Sequence, residues 1–592
     1  MLLLLACYPA LDGPPAWQDT ATDTDEPPLP DWDFVVRDDH QLLEDGEPFR
    51  FTSLNVPNLH MVENPTWHLP DPWEQHDAMA SIAQLGGRVA RIYTLSVGDS
   101  GSHTPRHVTA PGTFSEELFV ALDHAIAAAE ANRVRLIIPF VDQWTWWGGI
   151  EDYAAFRDLP PESFWTDEQV LDDFLETVTF TLTRTNTVTG VPYADDPTIL
   201  AWETGNELDA PTAWTEAVVD HIEELAPHQL IVDGTYGVNA DSLEHPDVDI
   251  VSNHYYWPFP FDDDLAGALE HDLASLDRAR PFLLGEYGFV DTARIEELLE
   301  TAAAYDEVAG TMIWSLRFHA VDGGFYWHTE IDDGDSLFRS YHWPGFDSGD
   351  AYDETGVLAL LSESAWKLQG VTPPPLVPDP PEILAVDEAT VTWRGSAGAH
   401  AYRLLRADDP DGPWTTIVED FHDAEAANTA QVTDPDPPDT PHYYAMVALG
   451  DEDSHPSAAF GPITPTDTVH DPLDDFSLAS PSDNMTLDTS NLELFGHDAS
   501  RATRFTTDPG TLTWTVDGTL SHATFTVWSW PYQDPGRVKV SQGKLSATEL
   551  GGDWLEVVYE VSGLSGDTLS VTIEGEGEVW TPQIGEMTLT VQ

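Results

Sequence analysis

The fold is decided by the stretch Pro197-Thr-Ile-Leu-Ala-Trp-Glu-Thr-Gly-Asn-Glu-Leu208. Apolar residues from Ile199 onward end in a carboxylate at Glu203, and Asn206 and Glu207 follow at once. A strand of a parallel barrel is covered on both faces and carries its chemistry at its carboxyl end. The stretch therefore predicts a buried barrel strand, Ile199 to Glu203, whose end presents Asn206 and Glu207.

A second apolar run that ends in a glutamate lies downstream, in Arg280-Pro-Phe-Leu-Leu-Gly-Glu-Tyr-Gly-Phe289, where Phe282 to Leu284 precede Glu286. Two glutamates, each at the end of a separate strand, are the minimum equipment of a retaining glycosidase, because one protonates the leaving oxygen while the other attacks the anomeric carbon. The alternative is that both are surface ends of ordinary strands. That interpretation does not explain the rest of the barrel pattern.

Apolar runs alternate with segments of helical periodicity over about 340 residues, the size of a barrel domain with insertions. The predicted strands are 50–56, 88–95, 134–141, 199–203, 230–233, 248–257, 282–284 and 310–316. The predicted helices are 72–84, 116–132, 167–184, 211–225, 292–305 and 354–367. The pattern indicates an α/β fold, a (β/α)8 TIM barrel within residues 31–371.

Two all-β sandwich domains are predicted after the barrel. Residues 372–381 are a proline-rich linker, and residues 382–465 have the short strands and buried aromatic positions that resemble a fibronectin type III domain. Residues 466–592 resemble a carbohydrate-binding jelly roll in outline. The aromatic residues there that could stack on sugar are Trp528, Trp530, Tyr532, Trp554 and Trp580. Alternation alone does not separate binding residues from core residues, so both interpretations stay open.

Two segments carry a resemblance to a known family: Leu136-Ile-Ile-Pro-Phe-Val-Asp-Gln-Trp-Thr-Trp-Trp-Gly-Gly-Ile150, and residues 183–207, which end in Ala-Trp-Glu-Thr-Gly-Asn-Glu. Both resemble family 5 glycoside hydrolases of the β-mannanase type, and the resemblance runs from about Phe34 to Leu368. The chain departs from the family where Glu203-Thr-Gly-Asn-Glu-Leu208 stands in place of Glu-Leu-Ala-Asn-Glu-Pro, and in the long segment after the last strand. Both departures affect the prediction of which glycosidic linkage is cleaved, and of whether cleavage occurs within the polysaccharide or at its end.

The resemblance implies roles for the two carboxylates and their neighbours. Glu286 is expected to be the nucleophile, and Glu207 the general acid and then the general base. Asn206 is expected to hold the 2-hydroxyl of the sugar. Arg91 is expected to keep the nucleophile ionised, since an opposite charge nearby lowers a carboxyl pKa. The alternative for Arg91 is a salt-bridged surface arginine.

The resemblance also implies a second set of contacts. His254 is expected to hold a sugar hydroxyl or to tune Glu207, and Tyr256 to donate a hydrogen bond to the nucleophile. Trp314 is expected to form the floor of the subsite for the sugar under attack. The alternative for His254 is a core histidine whose hydrogen bonds are satisfied. No paired ligand spacing around it indicates a metal, and no cofactor is predicted.

Three tryptophans in four positions follow the third predicted strand: Trp144, Trp146 and Trp147. An indole ring can stack on the flat C–H face of a sugar, so these residues are predicted to bind substrate. The alternative is that they pack under a lid. Trp257 and Trp327 are predicted to line further subsites, and the loop from Arg317 to about Asp353 is predicted to form a wall of the cleft.

The charge excludes some functions. The 592 residues include 105 acidic and only 23 basic ones, which gives a formal net charge of −82. Such a surface repels nucleic acid and anionic membranes. The acidic residues are spread along the whole chain, which favours a solvated surface of the kind found in salty surroundings over a disordered acidic tail. Adaptation to an acidic medium is the alternative.

Cys7 is the only cysteine, so no disulfide can form within the chain. Its context, Leu4-Leu-Ala-Cys7, resembles a bacterial lipoprotein processing site, and residues 1–30 are interpreted as the remnant of such a signal and a tether. The alternative is that Cys7 is incidental. The expected location is extracellular or at the cell surface, with membrane anchoring only through a lipid on Cys7. The protein is expected to be a monomer.

The leading hypothesis is a retaining hydrolase of β-1,4-mannosidic linkages in mannan or glucomannan, acting within the chain. The same barrel could instead serve an exo-β-mannosidase, a β-glucanase or a transglycosylase. A hypothesis from another class is a surface protein that binds polysaccharide without catalysis. The presence of both glutamates with their expected neighbours argues against it.

Overall fold

The computed structural model describes residues 32–63, 66–99, 104–256, 264–331, 337–346, 353–387, 389–424, 430–463, 467–488, 501–529, 537–550, 555–575 and 581–591. The chain divides into two compact units. The barrel unit comprises Met1–His60 and Gly87–Ile313, and the C-terminal unit comprises Met61–Gly86 and Trp314–Gln592.

Eight parallel strands close into a barrel in the first unit, which confirms the predicted fold class. In chain order, barrel strands 1 to 8 are Phe51–Asn55, Val89–Arg91, Arg135–Pro139, Ile199–Glu203, Leu230–Asp233, Ile250–Tyr256, Phe282–Gly288 and Val308–Ile313. Each strand pairs with its predecessor and successor in sequence, and strand 8 closes on strand 1.

The barrel is filled with side chains rather than open. Every residue of barrel strand 4 is buried, as expected for a strand covered on both faces. The core at the amino ends of the strands combines Phe51, Ile137 and Leu283 with Leu42 and Phe49. Leu42 belongs to a three-stranded antiparallel sheet that precedes strand 1, and Phe49 directly follows this sheet; its strands are Val36–Asp38, Gln41–Glu44 and Glu47–Pro48. An apolar plug at this end leaves the opposite end of the barrel for polar chemistry.

The helices of the barrel unit alternate with its strands. They are Glu116–Ala131, Ile150–Ala155, Glu168–Leu182, Thr212–Leu225, Leu265–Leu276 and Thr292–Ala304. No helix was predicted at Ile150–Ala155 or at Leu265–Leu276. Short 3-10 turns lie at Pro161–Trp165, Tyr193–Asp195 and Ser242–Glu244, and a small hairpin pairs Val108–Ala110 with Thr113–Phe114.

Aspartates begin several helices, which gives the acidic composition a local structural use. Asp167, Asp264 and Asp291 each accept a backbone N–H of the following helix. A carboxylate at this position satisfies a free amide and complements the positive end of the helix dipole. In the C-terminal unit, Asp71 and Asp353 begin helices Pro72–Leu85 and Glu354–Gln369 in the same way.

Those two helices of the C-terminal unit pack against each other at Gly86. This residue ends the first helix with φ +98°, and a Cβ on it would lie 2.7 Å from the indole of Trp366. Glycine is therefore required both for the left-handed turn and for the close approach. A short hairpin, Thr329–Ile331 with Leu337–Arg339, lies between Trp314 and the second helix.

Seven strands follow in a middle β domain, defined here as residues 382–463. They are Glu382–Asp387, Thr390–Arg394, Ala401–Ala407, Thr415–Phe421, Gln431–Thr433, His442–Leu449 and Phe460–Ile463. They form sheets of three and four strands that share one core, which includes Trp393, Tyr402 and Tyr444. Two sheets around a common core make a β-sandwich. The proline-rich segment before it is fixed to it, because Leu376 N–H donates to Asp451 Oδ2 at 2.9 Å.

A second sandwich occupies residues 467–591. Its strands are Asp467–Asp471, Ala479–Pro481, Met485–Asp488, Arg501–Arg504, Gly510–Thr515, Leu520–Ser529, Arg537–Val540, Lys544–Leu550, Leu555–Ser562, Thr568–Glu574 and Gln583–Val591. They form two sheets over a shared core around Trp514 and Phe525. Within the described residues, no helix has both the length and the apolar character needed to cross a membrane.

Candidate active site

Barrel strand 4 delivers Glu207 through a short turn that is held by its neighbours. Asn206 N–H donates to Val141 O at 2.7 Å, which extends the pairing with strand 3. Glu207 itself has φ +52°, a left-handed conformation that costs a residue with a side chain about 1–2 kcal/mol. On the strand 5 side, a Cβ on Gly234 would lie 1.8 Å from Gly205 O. Only glycine allows this approach, so the backbone beside Glu207 is tightly fixed.

Glu207 is mostly buried and accepts two hydrogen bonds. Its Oε1 lies 2.8 Å from Nδ1 of His254, and its Oε2 accepts the indole N–H of Trp144 at 2.6 Å. His254 is predicted from the sequence as a neighbour of this carboxyl, and the structure brings the two together. The contact of Trp144 with the carboxylate itself was not predicted.

Glu286 lies within barrel strand 7, where its backbone pairs with His254 of strand 6. Its Oε1 accepts Arg91 Nη1–H at 2.7 Å, and its Oε2 accepts the hydroxyl of Tyr256 at 2.6 Å. Burial, followed by the charge of Glu286, raises the pKa of Tyr256 well above its ordinary value, so the phenol remains a donor. The structure thus places Arg91 and Tyr256 on this carboxylate, as the resemblance implied.

The two carboxylates face each other across His254. One oxygen of Glu207, one of Glu286 and a ring nitrogen of His254 all lie within 4.8 Å of one another. The distance from His254 Nδ1 to Glu286 Oε2 is 3.6 Å. Inverting glycosidases hold their carboxyl groups about 6.5–9.5 Å apart to leave room for a water, whereas retaining enzymes hold them at about 5–5.5 Å. The closeness of the two oxygens favours the retaining arrangement.

A further carboxylate, Glu203, lies beneath the pair and shares Arg91. The guanidinium donates to Glu203 from Nε at 2.6 Å and from Nη2 at 3.2 Å, and to Asn206 Oδ1 at 2.8 Å. Arg91 is fully buried. Burial opposes its charge, but Glu203 and Glu286 outweigh burial and raise its pKa. Arg91 is therefore an internal counter-ion and not a surface arginine.

The amide of Asn206 is oriented from both ends. Its oxygen accepts from Arg91, and its Nδ2 donates to Asp142 Oδ1 at 3.0 Å. Tyr93 donates to the other oxygen of Asp142 at 2.8 Å. No role was predicted for Asp142 or for Glu203. Each is a carboxylate at or just past the carboxyl end of a predicted strand, the same signal that singled out Glu207.

The pKa values of the two carboxyls shift in opposite directions. Burial is the largest influence on Glu207 and would raise its pKa, but the hydrogen bond and charge of His254, followed by Trp144 and Arg91, hold it below the ordinary value. At Glu286 burial prevails over His254 and Arg91, and the pKa lies above the ordinary value. Arg91 lowers the pKa of the nucleophile, as expected, but burial is the larger influence and the net shift is upward.

His254 is positioned to hold the proton of this group. Burial lowers the pKa of its imidazole, but Glu286 and then Glu207 reverse this effect and raise it above the ordinary value. A charged imidazolium next to two carboxylates also explains why the pKa of Glu207 is low. His254 Nδ1 therefore lies one hydrogen bond from Glu207 and can pass a proton to it.

The three tryptophans after barrel strand 3 have different environments. Trp144 is 56% exposed, as a substrate platform requires. Trp146 is partly buried and packs on Tyr93, with ring centroids 4.7 Å apart. Trp147 is completely buried between Tyr93 and His60, so the prediction that it stacks on sugar is wrong. Its ring fills a space in the core and has no free face.

The other predicted tryptophans lie outside the barrel unit or outside the described residues. Trp314 directly follows barrel strand 8 in sequence, belongs to the C-terminal unit and is 9% exposed. Trp327, in the same unit, packs against His342 with ring centroids 4.2 Å apart. Trp257 lies outside the described residues, and so do Trp530, Tyr532, Trp554 and Trp580 of the last domain. Trp528 is described and buried.

Two groups of side chains in the described part of the chain could share a metal ion. One is Glu207, His254 and Glu286, and the other is Asp220, His245 and Asp247. In the first group the only ring nitrogen close to both carboxylates already bonds Glu207. The second lies at the surface, where acidic groups commonly cluster without a cation. Neither arrangement indicates a metal-dependent reaction.

Comparison with known proteins identifies the domain. Residues 32–255 match the family described as GH family 5 beta-mannosidase-like. This stretch belongs to glycoside hydrolase family 5. The match covers barrel strands 1 to 5 and most of strand 6, and it includes Glu207.

Individual relatives share parts of this chain. Mannan endo-1,4-beta-mannosidase 7 of Oryza sativa subsp. japonica is 30% identical over 252 residues, which cover 38% of this chain and 63% of the rice protein. Mannan endo-1,4-beta-mannosidase 1 of Arabidopsis thaliana is 31% identical over 175 residues, which cover 28% and 42%. The chain therefore spans less than two thirds of the length of either relative. Among solved structures, the endo-1,4-beta-mannanase of Rhizomucor miehei aligns with 20% identity and a TM-score of 0.47, over 56% of this chain and 99% of the fungal one.

Proposed function

We propose that the protein is a retaining glycoside hydrolase that cleaves β-1,4-mannosidic linkages in mannan or glucomannan. The observation that carries the proposal is the pair of carboxylates at the ends of barrel strands 4 and 7, whose oxygens lie within 4.8 Å of each other and have different partners. A single carboxylate, or two with equal surroundings, would not support a double-displacement reaction.

In the first step, Glu286 attacks the anomeric carbon and the bond to the leaving oxygen breaks. Tyr256 and Arg91 hold the two oxygens of Glu286 at 2.6 and 2.7 Å, which fixes the attacking atom and stabilises the carboxylate. Glu207 donates a proton to the leaving oxygen. The product of this step is a glycosyl ester of Glu286.

The proton for this step comes from His254. Transfer along the 2.8 Å hydrogen bond converts Glu207 to the neutral acid and His254 to neutral imidazole. The transfer also removes the charge that lowers the pKa of Glu207, and the remaining burial then favours the protonated carboxyl. After the leaving group has departed, Glu207 is ionised again. Water then attacks the anomeric carbon and the ester bond to Glu286 breaks, while Glu207 takes a proton from the water and returns it to His254, which gives net retention.

Mannan is proposed as substrate on two grounds. The relatives from rice and Arabidopsis are named mannan endo-1,4-beta-mannosidases, and residues 32–255 match the mannosidase-like branch of family 5. Asn206 supports this choice: Arg91 and Asp142 fix its amide beside Glu207. Mannose and glucose differ in the direction of the 2-hydroxyl. A site built to hydrogen-bond one hydroxyl strongly rejects sugars that cannot satisfy it.

Product analysis on mannan, glucomannan, cellulose and xylan tests the proposal. We expect mannan and glucomannan to be cleaved faster, with mannobiose and mannotriose among the products and retention of the β configuration by NMR at early times. Release of mannose alone would indicate an exo-acting enzyme. Preference for cellulose or xylan would contradict the mannan assignment but leave the glycosidase mechanism intact.

Two variants separate the carboxylate roles. Glu286→Ala should abolish hydrolysis, and azide should restore activity with a product of inverted anomeric configuration. Glu207→Ala should keep the first step with substrates that have good leaving groups, since these need little protonation. If both variants behaved alike towards activated substrates, the roles would be wrongly assigned.

We further propose an extracellular or cell-surface location, with a lipid on Cys7 as the membrane anchor. The proposal is supported by the sequence Leu4-Leu-Ala-Cys7, which lies outside the described residues. Labelled palmitate should enter the native protein and not a Cys7→Ser variant. Equal labelling of both proteins would contradict the anchor.

A further inference from the structure

The position of His254 depends on an irregular step between barrel strands 6 and 7. Asn253 pairs with strand 7 in the regular way, but His254 pairs with Glu286, so that Gly285 is skipped in the register. Skipping one residue changes the face on which the following side chains lie. Leu283 packs in the barrel core, and Glu286, three residues on, would face away from that core in a regular strand. The bulge at Gly285 therefore turns Glu286 towards His254.

Strand 7 is adapted to the ring of His254 at this step. A Cβ on Gly285 would lie 2.6 Å from Nε2 of His254 and 2.6 Å from Oγ of Ser252. Glycine thus leaves the space that the imidazole occupies. Asn55 Nδ2 donates to Gly285 O at 2.9 Å, which satisfies a backbone acceptor at the bulge. The strand 7 side of the ring is fixed by backbone.

On strand 6, the side chain of Asn253 holds the backbone of His254. Its Oδ1 accepts the N–H of His254 at 2.8 Å. Successive side chains of a strand point to opposite faces, so Asn253 and Tyr255 face the helices while His254 faces the carboxylates. The buried amide of Asn253 therefore links the outer face of the barrel wall to the backbone of a residue of the site.

Asp272, in helix Leu265–Leu276, fixes the amide of Asn253 from outside the barrel. Its Oδ2 accepts Asn253 Nδ2–H at 2.7 Å and the hydroxyl of Tyr255 at 2.6 Å. Burial, followed by the charge of Asp272, raises the pKa of Tyr255 well above its ordinary value, so the phenol remains a donor. Asn253 and Tyr255 directly precede and follow His254. One carboxylate oxygen thus holds strand 6 on both sides of it.

Helix packing alone does not account for an aspartate at this position. Asp272 lies three residues after Leu269 and four before Leu276, which are both buried, so it belongs to the face that packs on the barrel. A carboxylate there loses hydration, and hydrogen bonds must offset the loss. A leucine would bury apolar area without that cost. The aspartate is therefore explained by what it holds in strand 6.

We propose that Asp272 is a positioning residue for catalysis, which acts through Asn253 to keep His254 within hydrogen-bond distance of Glu207. The inference deepens the proposed function and rests on it. Nδ1 of His254 lies 2.8 Å from Oε1 of Glu207, and a turn of the strand 6 backbone would lengthen this bond. Proton transfer to the acid then becomes slower, because it requires the two groups within hydrogen-bond reach.

Asn253→Ala and Asp272→Ala test the proposal, with Tyr255→Phe as the matched control that removes the other bond to the same carboxylate oxygen. Two substrates separate proton delivery from the rest of the first step. Mannotetraose has a leaving sugar that must be protonated, whereas the leaving group of dinitrophenyl β-mannobioside departs without a proton. We expect both alanine variants to lower kcat/KM about tenfold on mannotetraose and less than about twofold on the dinitrophenyl substrate.

The controls distinguish positioning from stability. Tyr255→Phe should lower the melting temperature but change kcat/KM on both substrates by the same factor. Asp272→Asn should keep the native ratio of the two rates, because its Oδ1 can accept the same two hydrogen bonds. Equal losses on both substrates in the alanine variants would show that Asp272 supports only the fold, and would overturn the proposal. A ratio that changes in Tyr255→Phe and not in Asn253→Ala would overturn it as well.

NMR of the ring nitrogens of His254, assigned with His254→Gln, provides a measurement that needs no turnover. The signals should move in Asn253→Ala and in Asp272→Ala and should stay at their native positions in Tyr255→Phe. Signals that do not move in either alanine variant would contradict the role of Asp272. A native protein that cleaves neither substrate would instead overturn the proposed function, and the NMR comparison would still decide whether Asp272 sets the position of His254.

Discussion

Arg91 holds four polar groups of the site together, and the charges around it determine what each substitution should do. Its guanidinium contacts Glu203, Glu286, Asn206 and Asn55, all buried. A carboxylate buried without its counter-ion costs several kcal/mol, because desolvation is no longer offset. Stability and catalysis therefore depend on the same side chain.

Arg91→Met should destabilise the protein by roughly 3–5 kcal/mol, since it leaves two carboxylates in the interior without their cation. The double variant Arg91→Met/Glu203→Gln should recover part of this loss, because one uncompensated charge is then gone. Urea denaturation of both variants gives the comparison. A double variant less stable than Arg91→Met would show that Glu203 is stabilised by something other than Arg91.

Asp142 makes the site sensitive to pH. Burial raises its pKa to about 7, against the opposing hydrogen bonds from Asn206 and Tyr93. The folded state thus keeps a proton that the unfolded chain releases at about pH 4. Since the folded state binds more protons in this window, stability falls as pH rises from about 4 to 7.

An Asp142→Asn variant should flatten that fall, because its amide cannot lose a proton. Melting temperatures between about pH 5 and 8 provide the measurement, with Asp209→Asn as the control at an exposed neighbouring position. The variant should also lower kcat, because asparagine cannot accept from both Asn206 and Tyr93. A pH profile of stability identical to that of the native protein would contradict the raised pKa of Asp142.

Single residues were predictable where a strand pattern ended in a carboxylate, and unpredictable where the partner was distant in sequence. Glu207 and Glu286 each follow an apolar run. The sharing of Arg91 by Glu203 and Glu286 joins strands 2, 4 and 7, and local spacing does not encode it. The prediction for Trp147 was wrong for a related reason. The sequence does not distinguish three tryptophans in four positions, whereas contact with Tyr93 and His60 in the folded chain buries Trp147.

At the scale of secondary-structure elements, the eight barrel strands were predictable because each is a short apolar run between turn residues. The residues at which these strands begin and end were less predictable. Strand 2 was predicted as 88–95 but pairs only over Val89–Arg91, and strand 7 continues past Leu284 to Gly288. A shift in register between Asn253 and His254 accompanies this continuation and brings Glu286 opposite His254. Such irregularities depend on the neighbouring strand.

The helix Leu265–Leu276 was missed for a different reason. Its buried leucines are Leu265, Leu269, Leu273 and Leu276, a sound helical spacing, but the segment begins next to an acidic, proline-containing stretch that obscures its start. Asp264 is its cap, with its carboxylate accepting the N–H of Gly267 at 2.8 Å. In a chain with so many aspartates, a capping aspartate carries little signal.

One buried charge cluster ties three elements of the C-terminal unit together. His319, in the segment after barrel strand 8, lies 2.9 Å from Asp77 of helix Pro72–Leu85 and 3.2 Å from Asp423 of the middle β domain. All three side chains are nearly inaccessible. Burial lowers the pKa of His319, but the two aspartates outweigh it and raise the pKa to about 10. The imidazolium is the cation between two carboxylates.

The stabilisation from His319 should be complete below about pH 6.5, the ordinary pKa of histidine, and should be lost as pH rises towards 10. We expect the melting temperature of the full chain to fall over that range and the fall to be smaller in His319→Gln. His400→Gln, at an exposed position of the same unit, is the control. An equally steep fall in all three proteins would show that His319 is neutral in the folded state.

For the whole molecule, the excess of acidic groups sets the electrostatics. The 23 basic side chains cannot pair with 105 acidic ones, and several of the basic ones are already used inside the protein, as Arg91 is. Most carboxylates therefore face others of the same sign, and self-repulsion opposes the compact state. Helix capping by aspartate offsets this locally at a few positions.

Screening should relieve this repulsion. The Debye length falls from about 10 Å at 0.1 M salt to about 3 Å at 1 M, so neighbouring carboxylates cease to act on one another over most separations. We expect the melting temperature to rise between these two NaCl concentrations. Salt also strengthens apolar burial through exclusion from the surface, so sucrose at equal osmolality measures that part separately. Repeating the series near pH 4.5, where many carboxylates are protonated, should shrink the response to salt but not the response to sucrose.

A melting temperature that stays flat or falls with salt at neutral pH would contradict adaptation to salty surroundings. The acidic surface would then need another explanation. One alternative is adaptation to an acidic medium, which predicts that the protein is most stable at low pH.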